Sequence, residues 1–421
     1  MITPYLLNKP TEISNLQKDA LEIFGEAVTA ANPYSSTCAA LKQLALGKLR
    51  FVLSIGKAAV PMLQAVYDTL GEKQIQEAVL VTKYGHLGDF HKDSCVCFES
   101  GHPVSDENSE KAADYVLRQT DRLKKEDVCL VLISGGGSAL FEKSLIAAEE
   151  QHRITDILLK NGADIYALNC IRKRLSAVKG GRLAQHFEPA GVITLALSDV
   201  PGSRPDVIAS GPTQPDPVPD AVFRQTVDQY NLNADGLLDS LPPKAVLSNP
   251  TPFYIVGDVK MLCEAAAAAA EKRGYTAAYI STALAGDVND CVRMALQTAM
   301  EYRKSKGGHC AFLFGGEPTV CVKGSGKGGR SQQAALLAAM QLENTPDIVF
   351  LAGGSDGTDG PTDAAGGLVD GRTAEKIKTN GLSPMECAEN NDAYPALKSG
   401  EALLMTGPTG TNVNDLYLIL F

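Results

Sequence analysis

The chain has 421 residues, with 39 Lys and Arg against 49 Asp and Glu, a formal net charge of −10. That length predicts about two or three domains, with cores large enough to need neither disulfide nor metal staples. An acidic chain without a basic stripe excludes the nucleic-acid binders, and no run approaches the roughly 18 apolar residues of a membrane span. The first residues, Met1 to Asp19, lack the basic and apolar regions of a secretory leader. Of ten cysteines, only Cys95 and Cys97 lie close together. On a strand, residues two apart share a face, so this pair could meet one ligand, although no second Cys or His pair follows at zinc spacing. Scattered thiols predict a reducing, cytoplasmic setting.

The elements alternate. Arg50 to Gly56 (RFVLSIG) predicts a strand and Lys57 to Leu70 a helix; Ala78 to Thr82 predicts a second strand. Glu107 to Thr120 carries Ala112, Ala113, Val116 and Leu117 at helical spacing. Val128 to Ile133 and Val192 to Leu197 are continuous apolar runs, as parallel strands covered on both faces require. A Pro- and Asp-rich loop, Gly211 to Pro219, is followed by a second break, Leu241 to Pro252, which predicts a linker. Beyond it come a strand at Phe253 to Val256 and a helix over Lys260 to Arg273, whose run Ala265 to Ala270 suits close packing on a sheet. Further strands are predicted at Thr276 to Ile280, Cys310 to Phe314, Thr319 to Val322, Ile348 to Ala352 and Ala402 to Thr406, with Cys310 to Val322 read as a hairpin. The pattern predicts an α/β protein of two domains, residues 1–243 and 244–421, with a cleft between them.

Glycine, 39 residues in all, gathers just after strands, where ligands collect in open α/β sheets. Lys57, in Ser54-Ile55-Gly56-Lys57, stands at a helix start, where its charge adds to the helix preference for anions, or is simply solvated. Ser134-Gly135-Gly136-Gly137-Ser138 offers consecutive backbone N–H groups, a nest for an anion or a flexible turn. Gly324, Gly326 and Gly329 match the dinucleotide pattern G-x-G-x-x-G, but Lys323, Lys327 and Arg330 crowd the loop. Bare phosphates suit this Gly326-Lys327-Gly328-Gly329-Arg330 stretch better than a ribose diol. Asp356, Asp359 and Asp363 lie among glycines in a loop that reads as a magnesium site or a solvated turn. Asp199 ends a buried strand, as a base, a metal ligand or a capping residue. Arg172 and Lys179 belong to a basic run that reads as a phosphate contact or a solvated helix face, and His102 reads as a turn residue. Cationic loops, an anion nest and carboxylates together describe phosphoryl transfer, which is mostly positioning and charge neutralisation.

Taken together, these stretches resemble the class II glycerate kinases, whose C-terminal half is the MOFRL domain. The matching segments are Gly101-His102-Pro103, Ser134 to Leu140, Arg172 to Ala184, Ser198-Asp199-Val200, Ile208 to Thr213, Gly328-Gly329-Arg330, Asp356 to Gly366 and Gly407 to Leu416. The resemblance implies a Rossmann-like N-terminal domain, a smaller α/β C-terminal domain and an active site in the interdomain cleft. It implies ATP- and Mg2+-dependent phosphorylation of D-glycerate at O2, giving 2-phosphoglycerate, with small-molecule partners only and a homodimer left open. The family's lysine and arginine map onto Lys57 and Arg330, and Asp199 is our choice of base. Three departures stand out: Ser331-Gln332-Gln333 for Asn-Gln-Glu, Arg174 for a common histidine, and Gly202-Ser203-Arg204-Pro205 for a more acidic turn. The competing reading is an NAD(P)-dependent hydroxypyruvate or tartronate-semialdehyde reductase, suggested by the Gly324 loop.

Overall fold

A computed structural model describes residues 2–7, 13–233 and 236–421. Part of the N-terminal stretch read for a leader, residues 1 and 8–12, therefore lies outside the described residues. The strands are β1 (Tyr5–Leu6), β2 (Phe51–Ile55), β3 (Ala78–Lys83), β4 (Cys95–Ser100), β5 (Val128–Ile133), β6 (Gly191–Leu197), β7 (Phe253–Gly257), β8 (Thr276–Asp287), β9 (Cys310–Thr319), β10 (Val349–Gly354), β11 (Gly366–Asp370), β12 (Leu403–Met405) and β13 (Asp415–Leu420). They form a six-stranded and a seven-stranded sheet, in two compact units.

The unit Pro33–Val256 is built on the order β4-β3-β2-β5-β6-β7, with β4, β3, β2, β5 and β6 parallel. Counted from β2 this is 3-2-1-4-5-6, the dinucleotide-fold order, and its reversal point lies between β2 and β5. The two apolar runs that predicted covered strands are buried over Cys129–Ile133 of β5 and, Ile193 apart, over Val192–Leu197 of β6. Phe51, Leu53 and Ile55 point into one cluster with Val131, Ile133 and the Ala112, Ala113 and Val116 stripe of helix Glu107–Thr120. That helix opens on Asp106, whose carboxylate accepts from Ser109 N at 3.0 Å.

The other unit joins the first 32 residues to Gly257–Phe421. Its sheet runs β1-β12-β11-β10-β13-β9-β8, antiparallel except for the β8–β9 pair. Helix Asn15–Ala30 packs on helix Val259–Lys272 and on β10 and β13, burying Ile23, Phe24, Ala27 and Val28. Ala266, Ala267, Ala269 and Ala270 of the alanine run are buried, as close packing on a sheet requires. The predicted break at 243/244 falls inside an irregular stretch, beyond which β7 still completes the first sheet. The opening helix lies in the C-terminal unit instead because its apolar stripe is covered there, a long-range pairing that local sequence does not encode.

The hairpin predicted over Cys310 to Val322 does not form. β9 runs straight through Gly315-Gly316-Glu317-Pro318 and ends at Thr319. The two glycines are packing residues, since a Cβ on Gly315 would sit 2.5 Å from Cys263 Sγ and one on Gly316 would strike the Leu284 carbonyl.

Candidate active site

At the reversal point, β2 ends on Gly56 (φ +124°), where any side chain would run into Ser134. The helix that follows begins at Ala59, two residues later than predicted, and carries no cap of its own. Ser134 supplies one from β5's end: its hydroxyl accepts from Ala58 N at 3.0 Å and donates to Ile55 O at 3.3 Å. Ser134 is thus buried and fully used, so it positions the turn and has no hydroxyl valence left for phosphate. Lys57 is tied down by its own amide, which donates to Gly135 O at 2.9 Å, and its side chain remains half-exposed.

Around the triple glycine the predicted residues converge. A Cβ on Gly135 would collide with the Asp199 carboxylate, so the base candidate lies directly against the nest. Gly136 (φ +86°) is covered by His102, whose ring Cδ2 stands 2.9 Å from where a Cβ would be. Burial, together with the charges of Lys57, Lys83 and His86, pushes the His102 imidazole below its usual value. Gly137 N turns back to Ser134 O at 3.3 Å, while the amides of Gly135 and Gly136 make no backbone hydrogen bond among the described residues. Ser138 Oγ meets Ser210 Oγ at 2.9 Å. Ala209, Ser210 and Gly211 follow one another in the left-handed region (φ 49°, 62° and 63°), a strained run that persists only where surrounding packing imposes it.

The basic run divides. Arg172 is exposed on helix Ile165–Arg174. Lys179 is buried and paired with Glu142, which follows the nest helix Gly137–Leu140; burial pushes its amine down to about 7. The neighbouring amides of Gly180 and Gly181 donate to Ser210 O and Gly211 O at 3.1 and 2.8 Å. Lys179 therefore braces the wall behind the nest, and burial leaves it no surface to offer phosphate. Arg174, the departure from histidine, lies 4.4 Å over the Phe223 ring and pairs with Asp220.

In the C-terminal unit the Gly324–Gly329 loop is closed from behind. Asn391 Oδ1 accepts from Lys323 N at 2.7 Å and Gly324 N at 3.1 Å, Asn390 accepts from Ser325 N and Gly326 N, and Asp392 Oδ1 accepts from Lys327 N at 2.7 Å. Gly326, expected to bind phosphate, thus spends its amide on Asn390 O at 3.0 Å. Lys327 lays its ammonium 4.4 Å from the Tyr394 ring centre, and Gly328 lies against Ala393. Gly329 lets Asp359 approach, which caps helix Arg330–Gln341 by accepting from Ser331 N at 3.2 Å and Gln332 N at 2.8 Å.

Arg330, at the start of that helix, is gripped by Asp415 through Nε (2.6 Å) and an NH2 donor (3.1 Å), and by Glu317 through NH1 (2.7 Å). Burial opposes the guanidinium charge, but the Asp415 and Glu317 partners outweigh it and raise its affinity for the proton. Burial pushes the Asp415 carboxyl up to about 6 despite Arg330. Two of the five guanidinium donors remain for an anion.

The three aspartates expected to share a metal are separated in purpose. Asp359 gives both oxygens to helix amides, Asp363 accepts from Tyr394 OH at 2.8 Å, and Asp356 accepts from Thr358 N at 3.0 Å. Among the described residues no three His, Cys, Asp or Glu side chains converge to hold a metal. A three-carboxylate magnesium site does not fit these residues. Sequence reasoning missed Glu317, Asp415 and Glu142 as site residues; only the partner each holds reveals them. His102 had a signal, Gly101-His102-Pro103, but its place over Gly136 is a tertiary fact.

Residues 19–241 match a domain of unknown function (DUF4147), and residues 310–415 match the MOFRL family. The D-glycerate 2-kinase of Thermotoga maritima is 42% identical over 96% of this chain and 98% of its own length. A crystal structure of glycerate kinase from the same organism superposes with a TM-score of 0.91, covering 96% of this chain and 99% of that one. A protein of Agrobacterium vitis provisionally named hydroxypyruvate reductase is 35% identical over 94% of this chain and 93% of its own length.

Proposed function

Because the chain belongs to the class II glycerate kinase family, with a MOFRL region in its C-terminal half, we propose that it transfers the γ-phosphoryl group of ATP to the 2-hydroxyl of D-glycerate. The products are 2-phosphoglycerate and ADP. The observation that supports this most is the Asp199 carboxylate against Gly135, in a glycine turn whose carbonyl also fixes Lys57. A base beside oriented amides and a cation is what phosphoryl transfer to an alcohol asks of a protein.

In this reading Asp199 takes the 2-hydroxyl proton as that oxygen bonds to the γ-phosphorus. The bond to the bridging oxygen breaks, and ADP leaves with its electron pair. Lys57 and the Gly135 and Gly136 amides neutralise the charge spread over the phosphoryl oxygens. His102 borders the turn at Gly136. In its own unit Arg330, pre-oriented by Asp415 and Glu317, offers an anion contact. Magnesium bound to the nucleotide would offset phosphate charge; Asp356 and Asp363, each accepting one hydrogen bond, keep acceptor capacity in the acidic loop. A cytoplasmic setting is part of the same proposal, in keeping with ten unpaired cysteines. No helix among the described residues is long and apolar enough to cross a membrane.

The reductase reading rested on the Gly324 loop, which lies outside the parallel sheet and has its amides from Lys323 to Lys327 occupied by residues 390–392. After β2 the sequence Gly56-Lys57 opens a helix without a second glycine. A coupled assay separates the two. ADP release is expected to require D-glycerate, with phosphorus NMR placing the new signal on O2, and NADH is expected to remain unoxidised by hydroxypyruvate. ADP release independent of glycerate, or NADH turnover, would overturn the proposal.

A further inference from the structure

Cys95 and Cys97 lie on β4, the edge strand of the six-stranded sheet, and both are half-buried and unpaired. Residues two apart on a strand share a face, and here the two sulfurs stand 3.8 Å apart. Two zinc–thiolate bonds of about 2.3 Å meeting at the tetrahedral angle place their sulfurs about 3.8 Å apart. The pair already has the bite of a tetrahedral metal ion.

A disulfide fits the same pair less well. It needs the sulfurs to close from 3.8 Å to about 2.05 Å, with the Cα atoms, roughly 6.6 Å apart two steps along a strand, at the far edge of what such a bridge spans. Chelation takes the sulfurs where they stand. We propose that Cys95 and Cys97 form a dithiolate site for one thiophilic divalent cation of the zinc and cadmium class. Among the described residues no third His, Cys, Asp or Glu completes the set. The remaining positions thus go to water or a small thiol, and the bound ion is exchangeable.

Binding converts two thiols and one divalent cation into a neutral dithiolate complex and two protons.

The test is a titration of the reduced full-length protein with cadmium chloride, read by thiolate-to-cadmium charge-transfer absorbance. One saturating equivalent is expected, suppressed by zinc chloride and accompanied by two protons in weak buffer. Cys95→Ser and Cys97→Ser should each weaken binding by about tenfold or more, while Cys321→Ser, at an exposed thiol, should leave it unchanged. Thermal melting without metal checks that the variants fold, and Cys97→Ala provides a second substitution. An unchanged one-equivalent signal in the Cys95→Ser, Cys97→Ser double variant would overturn the site. So would a wild-type signal no larger than that of the double variant.

Discussion

Two glycine-rich turns invite the same reading from sequence, and the fold treats them oppositely. Both Ser134–Ser138 and Gly324–Gly329 follow a strand, and both lead into a helix. In the first, the glycines bring titratable side chains close: Asp199 reaches Gly135 and His102 covers Gly136. In the second, they let the segment 390–392 press in with side chain and backbone alike: Cβ atoms on Gly324 and Gly326 would strike Asn390 and Asp392. Glycine marks close approach in either case, but the chemistry depends on what approaches. A nest bordered by a carboxylate and an imidazole can act on a ligand, whereas one whose amides are already taken by residues 390–392 is a strut.

The largest effect that would sharpen this contrast is expected at Asp199. Asp199→Asn should lower kcat by about 10²–10⁴-fold with KM for ATP nearly unchanged, while Asn391→Ala should keep kcat within about twofold and lower the melting temperature by about 4 °C or less. Steady-state kinetics and thermal melts on both variants decide; undiminished turnover in Asp199→Asn would remove it as the base. Next come the glycines themselves. Gly135→Ala pushes a methyl group into the Asp199 carboxylate and should cost about 10²-fold in kcat by misplacing the base. Gly324→Ala meets Asn390 and should cost about 1–3 kcal/mol of stability with turnover preserved; a kcat loss there as large as at Gly135 would erase the distinction. Smaller again, Arg330→Lys keeps the charge but loses the forked grip on Asp415. It should reduce kcat/KM by about tenfold, with Arg330→Ala falling further.

How much of this was legible before folding follows from the range of each interaction. The strands of the parallel sheet were readable because burial on both faces writes a continuous apolar run, as in Val128 to Ile133. Lys57, Asp199 and the triple glycine were readable because strand ends are where such sheets hold ligands. The hairpin reading at Gly315-Gly316 failed because glycine also permits a strand to press against Val259, Cys263 and Leu284, and those neighbours come from elsewhere in the chain. Lys179 looked like a phosphate contact for the same reason: its partner Glu142 lies 37 residues away. Gln333, a departure from the glutamate its position usually carries, is explained by an amide it donates to Ala388 O at 2.8 Å, a bond a carboxylate could not make.

The finest prediction concerns the acidic loop, where Asp359 stands as a cap and not as a metal ligand. Burial pushes its carboxyl up to about 7 from an ordinary 3.8, although the amides of Gln332 and Ser331 pull the other way. Between those two values the folded chain holds a proton that the unfolded chain has released. The associated stability is present below about pH 4 and is lost as pH rises through about 7. Asp359→Asn cannot titrate, yet keeps one oxygen to accept a helix amide. The melting temperature of the wild type minus that of Asp359→Asn should therefore fall steadily from pH 5 to pH 8, other titrations largely cancelling in the difference. Parallel curves would mean that Asp359 is charged throughout, and so able to serve a cation after all. A declining difference keeps it in the same class as Asn390 and Asn391, an acceptor spent on closing the C-terminal turn.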